Sequence, residues 1–220
     1  MTSPEWDVLY REGKQLSRWP WSDVVSLVFR HARPEDGFRR VLELGCGAGA
    51  NIPLFVKLGV DYYAIEGSPS MVDLLRVQFP DLKDRIVAGD FAQDIPFGGA
   101  FDLVVDRSAV THNTTRAIRQ TLAGVRDHLR RGGKFIGVDW HSRECPDAEL
   151  GEPLDEHTRT NIHSAAFAGV GATHFSDRDH LTALLDDAGL QLEWLDHKRI
   201  DHVIPAGRTQ GAWDFVAVKQ

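Results

Sequence analysis

The sequence predicts an α/β fold: a doubly wound, mostly parallel sheet that ends in a C-terminal antiparallel hairpin. Between Val41 and His141, short apolar runs alternate with longer segments of helical pattern, which is typical of a parallel sheet covered on both faces. The last two apolar runs are separated by Pro205-Ala206-Gly207, a sequence that favours a hairpin turn. A length of 220 residues suits one domain better than two.

The elements follow in order along the chain. Two helices are expected before the sheet, and further helices over residues 52–58, 71–79, 114–129 and 176–188. Strands are expected over residues 41–44, 62–66, 85–88, 101–105, 134–138, 191–198 and 212–219. The expected regions are an N-terminal helical cap (1–38), a ligand-binding core (39–141), an insertion (142–175) containing one helix around 156–168, and a C-terminal helix with a strand pair (176–220).

Three glycines, Gly45, Gly47 and Gly49, follow the first predicted strand. Glycines at alternate positions let the backbone turn sharply and let a ligand lie against the main chain. Gly45, Gly47 and Ala50 also fit the dinucleotide fingerprint, with Glu66 at about the expected 20-residue spacing. However, residues 41–56 contain no Lys or Arg, whereas a pyrophosphate is held by cations and free amides. The local charge therefore favours a cationic ligand.

Acidic residues stand at the ends of four predicted strands: Glu43, Glu66, Asp90 and Asp106. The carboxyl ends of parallel strands share one edge of the sheet, and ligands bind there. Carboxylates gathered at that edge would repel each other unless a cation or hydrogen-bond donors lay among them. This pattern predicts a site for a positively charged ligand.

The stretch Glu-Leu-Gly-Cys-Gly-Ala-Gly at 43–49 resembles the first motif of the class I S-adenosylmethionine (SAM) dependent methyltransferases. The resemblance implies a seven-stranded Rossmann-like sheet and SAM as cofactor, which carries a sulfonium and no phosphate. It implies that Glu66 takes the ribose hydroxyls, Asp90 the adenine amino group, and Asp106-Arg107 the methionine end. The cofactor residues that it implies are Glu43, Gly45, Cys46, Gly47, Asn51, Glu66, Gly67, Met71, Gly89, Asp90, Phe91, Asp106 and Arg107.

The expected activity is methyl transfer to an oxygen or nitrogen of a small polar molecule, such as a sugar or another metabolite. His112 and His141 follow the fourth and fifth strands and are candidate general bases. The N-terminal segment around Tyr10, Lys14, Trp19 and Trp21, together with the insertion, is expected to line the acceptor pocket. Two alternatives remain open: an NAD-dependent oxidoreductase, and a non-catalytic SAM-binding protein of the same fold.

Composition and motifs limit the classes of partner that the chain is expected to bind. A net charge of −7 argues against nucleic-acid or anionic membrane surfaces, and the fourth-strand loop lacks the Asn/Asp-Pro-Pro-Tyr motif of nucleic-acid and protein amide methylators. Two cysteines do not make a disulfide framework, and neither a signal pattern nor a spanning apolar run is present. The histidine spacings match no metal motif. We therefore expect a cytoplasmic monomer or homodimer that binds no metal.

Overall fold

The computed structural model describes residues 4–164, 166–204 and 206–220, and it confirms the predicted fold class. Its helices are α1 (Pro4–Arg11), α2 (Ser22–His31), α3 (Ile52–Leu58), α4 (Pro69–Gln78), α5 (Thr115–His128) and α6 (Arg178–Asp187). Its strands are β1 (Arg40–Leu44), β2 (Asp61–Glu66), β3 (Ile86–Ala88), β4 (Phe101–Arg107), β5 (Leu129–His141), β6 (Glu152–Pro153), β7 (Thr158–Thr160), β8 (Thr173–His174), β9 (Leu190–His202) and β10 (Arg208–Lys219). Pro205, the first residue of the predicted hairpin turn, lies outside the described residues.

Within the described part of the chain, the main sheet has seven strands in the order β3-β2-β1-β4-β5-β10-β9. The pairs from β3 to β5 are parallel, and β10 pairs antiparallel with both β5 and β9. Leu44 at the end of β1 faces Ile65 on one side and Asp106 on the other. The strand order reverses at this point, so ligands are expected beside the end of β1.

Helices cover both faces of the sheet because successive side chains of each strand point to opposite sides. Val41 packs in one buried cluster with residues of α2, α3 and α4. Its neighbour Leu42 packs in the other cluster, with residues of α5 and α6. The doubly wound arrangement therefore follows from near-continuous apolar runs in β1 and β4.

The C-terminal strands are longer than predicted. β9 runs to His202 and β10 begins at Arg208, whereas the sequence predicted strands only over 191–198 and 212–219. Apart from Ile200 and Gly211, the added residues 199–202 and 208–211 are polar and are exposed or half-buried, and Ile200 is itself 53% exposed. Hydrophobic alternation therefore could not mark these parts of the two strands.

The helix predicted around 156–168 is wrong. Residues 158–160 form β7, which pairs antiparallel with β6 and β8. Just before β7, the Asp155 carboxylate accepts hydrogen bonds from the amide of His157 (2.9 Å) and from the amide and hydroxyl of Thr115. A side chain that bonds its own backbone two residues on favours a turn over a helix. Across the described residues, no helix is both long enough and apolar enough to span a membrane.

Candidate active site

A cavity of about 840 Å³ opens at the carboxyl ends of β1 to β5. The sheet topology brings together most of the residues that the sequence predicted to bind the cofactor or the acceptor. Those that line the cavity are Tyr10, Trp21, Glu43, Gly45, Cys46, Gly47, Asn51, Glu66, Gly67, Gly89, Asp90, Phe91, Arg107, His112 and His141.

The turn after β1 depends on its glycines. Gly45, Gly47 and Gly49 have φ values of 63°, 53° and 79°, in the left-handed region that favours glycine. The amide of Gly45 donates to Ile65 O, that of Gly47 to Glu66 Oε2 and that of Gly49 to Cys46 O, at 2.8 to 2.9 Å. These glycine amides are therefore used within the protein and do not form an open nest for a phosphate.

Glu66 ends β2 at the wall of this cavity and is 4% exposed. Its two carboxylate oxygens accept from the amides of Gly47 (2.8 Å) and Ser68 (2.9 Å). Burial raises the pKa of Glu66, although these backbone hydrogen bonds oppose the shift. Each carboxylate oxygen has a further lone pair, so Glu66 can still accept hydrogen bonds from a ligand diol.

Glu43 is hydrogen-bonded to other residues of the protein and holds the site in place. Its carboxylate accepts from Asn51 Nδ2 (2.8 Å) and from the Tyr62 hydroxyl (2.5 Å), and burial raises its pKa. Asn51 Oδ1 in turn accepts from the amide of Trp21 (3.1 Å), the residue before α2. Glu43 therefore fixes the glycine turn against the start of α2.

The structure does not bring Met71, Asp106, Trp19 or Lys14 to the cavity. Met71 of α4 is buried in the core, Trp19 is 82% exposed, and Lys14 pairs with Glu12. Asp106 is fully buried, where its carboxylate accepts from the amides of Ala109 and Val110 and from Trp140 Nε1. Burial raises its pKa to about 7. The expected ring of four acids is thus corrected, because Asp106 turns inward to shape the loop after β4.

Arg107 contributes a cation at this edge of the sheet. Its guanidinium lies 3.7 Å from the centre of the Trp21 ring and donates to Asp139 Oδ2 (2.9 Å). Asp139 also lines the cavity and has φ 55°, a conformation that non-glycine residues hold only when their surroundings impose it. Sequence reasoning missed Asp139, although its position at the end of the fifth strand was a signal for it.

His112 and His141 lie together on the far side of the cavity, with ring centres 5.4 Å apart. His112 Nδ1 is 3.3 Å from Ala172 O, and His141 Nε2 is 3.4 Å from Ser108 Oγ. Desolvation lowers the pKa of His112 to about 4 and that of His141 well below its ordinary value. Both imidazoles are therefore neutral near pH 7.

Two aromatic rings flank the pair of histidines in the cavity. Trp6 of α1 contacts the His112 ring at a centroid distance of 4.9 Å, and Phe167 of the insertion contacts His141 at 4.9 Å. Trp6 and Phe167 both line the cavity. The sequence predicted that the N-terminal segment and the insertion would line the acceptor pocket, but it did not single out these two residues. The fold adds that the two segments meet beside the histidines.

Comparison with known proteins identifies the architecture. A family model described as a methyltransferase domain matches residues 41–133, which contain the glycine turn, Glu66, Asp90 and the loop after β4. The sheet order and the C-terminal antiparallel pair extend the likeness to the rest of the fold. Residues 41–133 thus match a methyltransferase domain, and the fold is the one found in solved SAM-dependent methyltransferases.

Individual methyltransferases resemble this chain to different extents. It is 34% identical over 117 residues to the cypemycin N-terminal methyltransferase of a Streptomyces species, covering 52% of this chain and 46% of that protein. It is 28% identical over 204 residues to the dTDP-3-amino-3,4,6-trideoxy-alpha-D-glucopyranose N,N-dimethyltransferase of Streptomyces venezuelae, covering 80% and 84%. A solved SAM-dependent methyltransferase from Methanosarcina mazei superposes with a TM-score of 0.71 at 14% identity, covering 91% of this chain and 98% of that one. This chain spans about half the length of the first two curated methyltransferases that it matches.

Proposed function

We propose that this protein transfers a methyl group from SAM to a nitrogen atom of a small polar molecule, with an amine-bearing sugar as the candidate acceptor. When bound, SAM would supply an electrophilic methyl group on a sulfonium. The observation that carries the proposal is a glycine turn whose amides are used internally, set in one cavity with Glu66 and two neutral imidazoles.

The internal use of these amides favours SAM over NAD. A pyrophosphate binds through free amides and cations, whereas the amides of Gly45, Gly47 and Gly49 are already donated and Glu66 lies against the turn. An adenosine moiety and an amino-acid end place no phosphate there. Arg107, at the end of the neighbouring strand β4, is paired with Asp139.

The order of the strands supports a separate ligand-binding role for each strand end along this edge of the sheet. Asp90 and Phe91 follow β3 and would hold the adenine, and Glu66 at the end of β2 would accept from the ribose hydroxyls. The turn after β1 and Arg107 after β4 would hold the amino-acid end. The acceptor would then lie at β4 and β5, beside His112 and His141, with Tyr10 and Trp21 on the N-terminal side of the cavity.

The histidines favour nitrogen over oxygen as the acceptor atom. A hydroxyl must lose a proton of high pKa during transfer, and a base works best when its own pKa lies near the operating pH. His112, with a pKa of about 4, is a poor match for that task. An amine already offers a lone pair once it is deprotonated, so neutral imidazoles need only orient it and accept a hydrogen bond. The two relatives described above are named for an N-terminus and for N,N-dimethylation of an amino sugar.

Ligand binding tests the cofactor class. We expect S-adenosylhomocysteine (SAH) to raise the melting temperature and to bind with measurable heat in calorimetry, because a ligand that binds only the folded state stabilises it. NAD should do neither. NAD binding without SAH binding would favour the oxidoreductase alternative and reject the proposal.

Turnover tests the acceptor and separates an enzyme from a non-catalytic SAM-binding protein. With methyl-labelled SAM and a panel of methyl glycosides bearing one amine, we expect label in an amino sugar and none in the matched glycoside bearing a hydroxyl. The rate should rise about tenfold per pH unit until the pKa of the acceptor amine, because only the free base reacts. Methylation of the hydroxyl analogue, or a rate that levels off near pH 6.5, would reject nitrogen as the acceptor.

A further inference from the structure

We propose that Lys198 is a positioning residue for the cofactor, acting through Asp139 to fix Arg107 where it would bind the cofactor's carboxylate. The proposal rests on SAM being the cofactor, as argued above. It assigns a role at the site to a residue on the edge strand β9, outside the segment that matches the methyltransferase family.

Arg107 is held on two sides and keeps donors for a ligand. Its Nε and Nη2 atoms lie 2.9 and 2.8 Å from Asp139 Oδ2, and the face of Trp21 lies 3.7 Å from its Cζ atom. A guanidinium carries five N–H donors, so the pairing with Asp139 leaves others for an anion in the cavity that Arg107 lines. A guanidinium held in this way loses little freedom when it binds a carboxylate.

Asp139 depends in turn on Lys198. Lys198 Nζ is 2.5 Å from Asp139 Oδ1, 2.8 Å from Asp23 Oδ2 and 2.9 Å from Asp214 Oδ2. Burial alone would lower the pKa of Lys198, but hydrogen bonds with Asp139, Asp23 and Asp214 outweigh burial and raise it. Lys198 is therefore a permanent cation at the centre of this cluster.

Removing that cation would displace Asp139. Asp23, Asp139 and Asp214 would then face one another without the ammonium between them, and like charges at short range repel. The Asp139 backbone has a positive φ and its amide donates to Asp214 Oδ1 (2.8 Å). Loss of Lys198 thus acts on the side chain and on the backbone that together hold Arg107.

The place of Arg107 in the sheet indicates the amino-acid end of the cofactor as its ligand. Arg107 ends β4, the neighbour of β1, and its stacking partner Trp21 donates its amide to Asn51 beside the glycine turn. The stack of Arg107 on Trp21 is therefore linked to the glycine turn. The carboxylate of the methionine moiety is the anionic group of SAM, and a guanidinium is its natural partner.

Two ligands test the positioning role of Lys198, and the test does not require the methyl acceptor to be known. SAH contains the amino-acid end, whereas 5′-methylthioadenosine shares the adenosine and thioether but lacks it. We expect Arg107→Met to weaken SAH binding by about 30-fold and Lys198→Met by about tenfold. Both variants should bind 5′-methylthioadenosine within about twofold of the wild type, because neither residue would touch the adenosine. Lys198→Arg, which keeps a cation, should restore most of the SAH affinity.

Lys134 provides a matched control. It is a partly buried strand lysine that pairs with Glu193 at 2.7 Å and does not line the cavity, so Lys134→Met should leave both dissociation constants unchanged. If Lys198→Met does not fold, Lys198→Gln replaces it.

The outcomes separate the two proposals. If the wild type binds neither ligand, the proposed function fails. If the wild type binds both and Lys198→Met weakens both equally or neither, Lys198 has no positioning role. If Arg107→Met leaves SAH binding unchanged, Arg107 serves another ligand and the inference is overturned.

Discussion

Replacing Glu66 by alanine is expected to weaken SAH binding by about 100-fold, since two hydrogen bonds to a charged acceptor would be lost. Glu66 is buried at the end of β2, where its oxygens already accept from the amides of Gly47 and Ser68. The carboxylate therefore has a fixed position, and its remaining lone pairs are presented to the cavity. Isothermal calorimetry on the folded variant, below its melting temperature, measures the loss directly.

Asp61 is the matched control for Glu66. It begins the same strand, is exposed and pairs with Arg85 at the opposite end of β2, so Asp61→Ala should leave SAH affinity unchanged. Glu66→Gln keeps one acceptor oxygen and should fall between alanine and the wild type. Wild-type SAH affinity in folded Glu66→Ala would show that this carboxylate does not contact the cofactor.

Much of the fold could be predicted because β1 to β5 carry their information locally. Val41 and Leu42 are both apolar because the sheet is covered on both faces, and the glycines mark the turn at the end of β1. The insertion was harder to predict, since its conformation depends on distant partners. Asp155 is held by Thr115 of α5, a contact between segments far apart in the sequence.

The candidate site was predictable to the extent that strand ends determine it. Glu66, Asp90 and Arg107 reach the cavity as the strand order requires, whereas Asp106 turns inward to bind Trp140. A sequence gives the position of a carboxylate along a strand but not whether a neighbouring loop folds back over it. The sequence also did not indicate a role for Lys198, because the three carboxylates that it pairs with belong to α2, β5 and β10.

Two histidines outside the proposed catalytic region, the buried His174 and the half-buried His180, are expected to make the stability of the protein sensitive to acid. His174 is fully buried, with Nδ1 3.1 Å from Thr158 Oγ1 and Nε2 3.1 Å from Ser176 Oγ. The rings of His157 and His180 stack at 3.5 Å with an angle of 6° between their planes, and His174 is 5.2 Å from His180. His174 also approaches Thr115 at the start of α5, and His180 lies in the first turn of α6. Helix N-termini disfavour positive charge.

Burial lowers the pKa of His174 to about 3, with His180 adding to the shift and Asp155 opposing it. An unfolded histidine has a pKa of about 6.5, so the unfolded chain binds more protons than the folded one as the pH falls below that value. The contribution of neutral His174 to stability is therefore fully present above pH 6.5 and is lost progressively below it. From about pH 7.5 to about pH 4.5, this group should remove about 3 kcal/mol from the free energy of unfolding.

The effect is best measured as a difference between proteins, because other buried groups oppose it. Burial raises the pKa of Glu43, Glu66 and Asp106, so these acids favour the folded state as the pH falls, and they are the same in a histidine variant. His174→Gln should be less stable than the wild type at about pH 7.5, and that deficit should shrink by about 3 kcal/mol at about pH 4.5, as measured by urea unfolding at each pH. If the deficit of His174→Gln stays constant with pH, then His174 accepts protons as readily in the folded protein as in the unfolded chain, and its burial among neutral partners does not control acid stability.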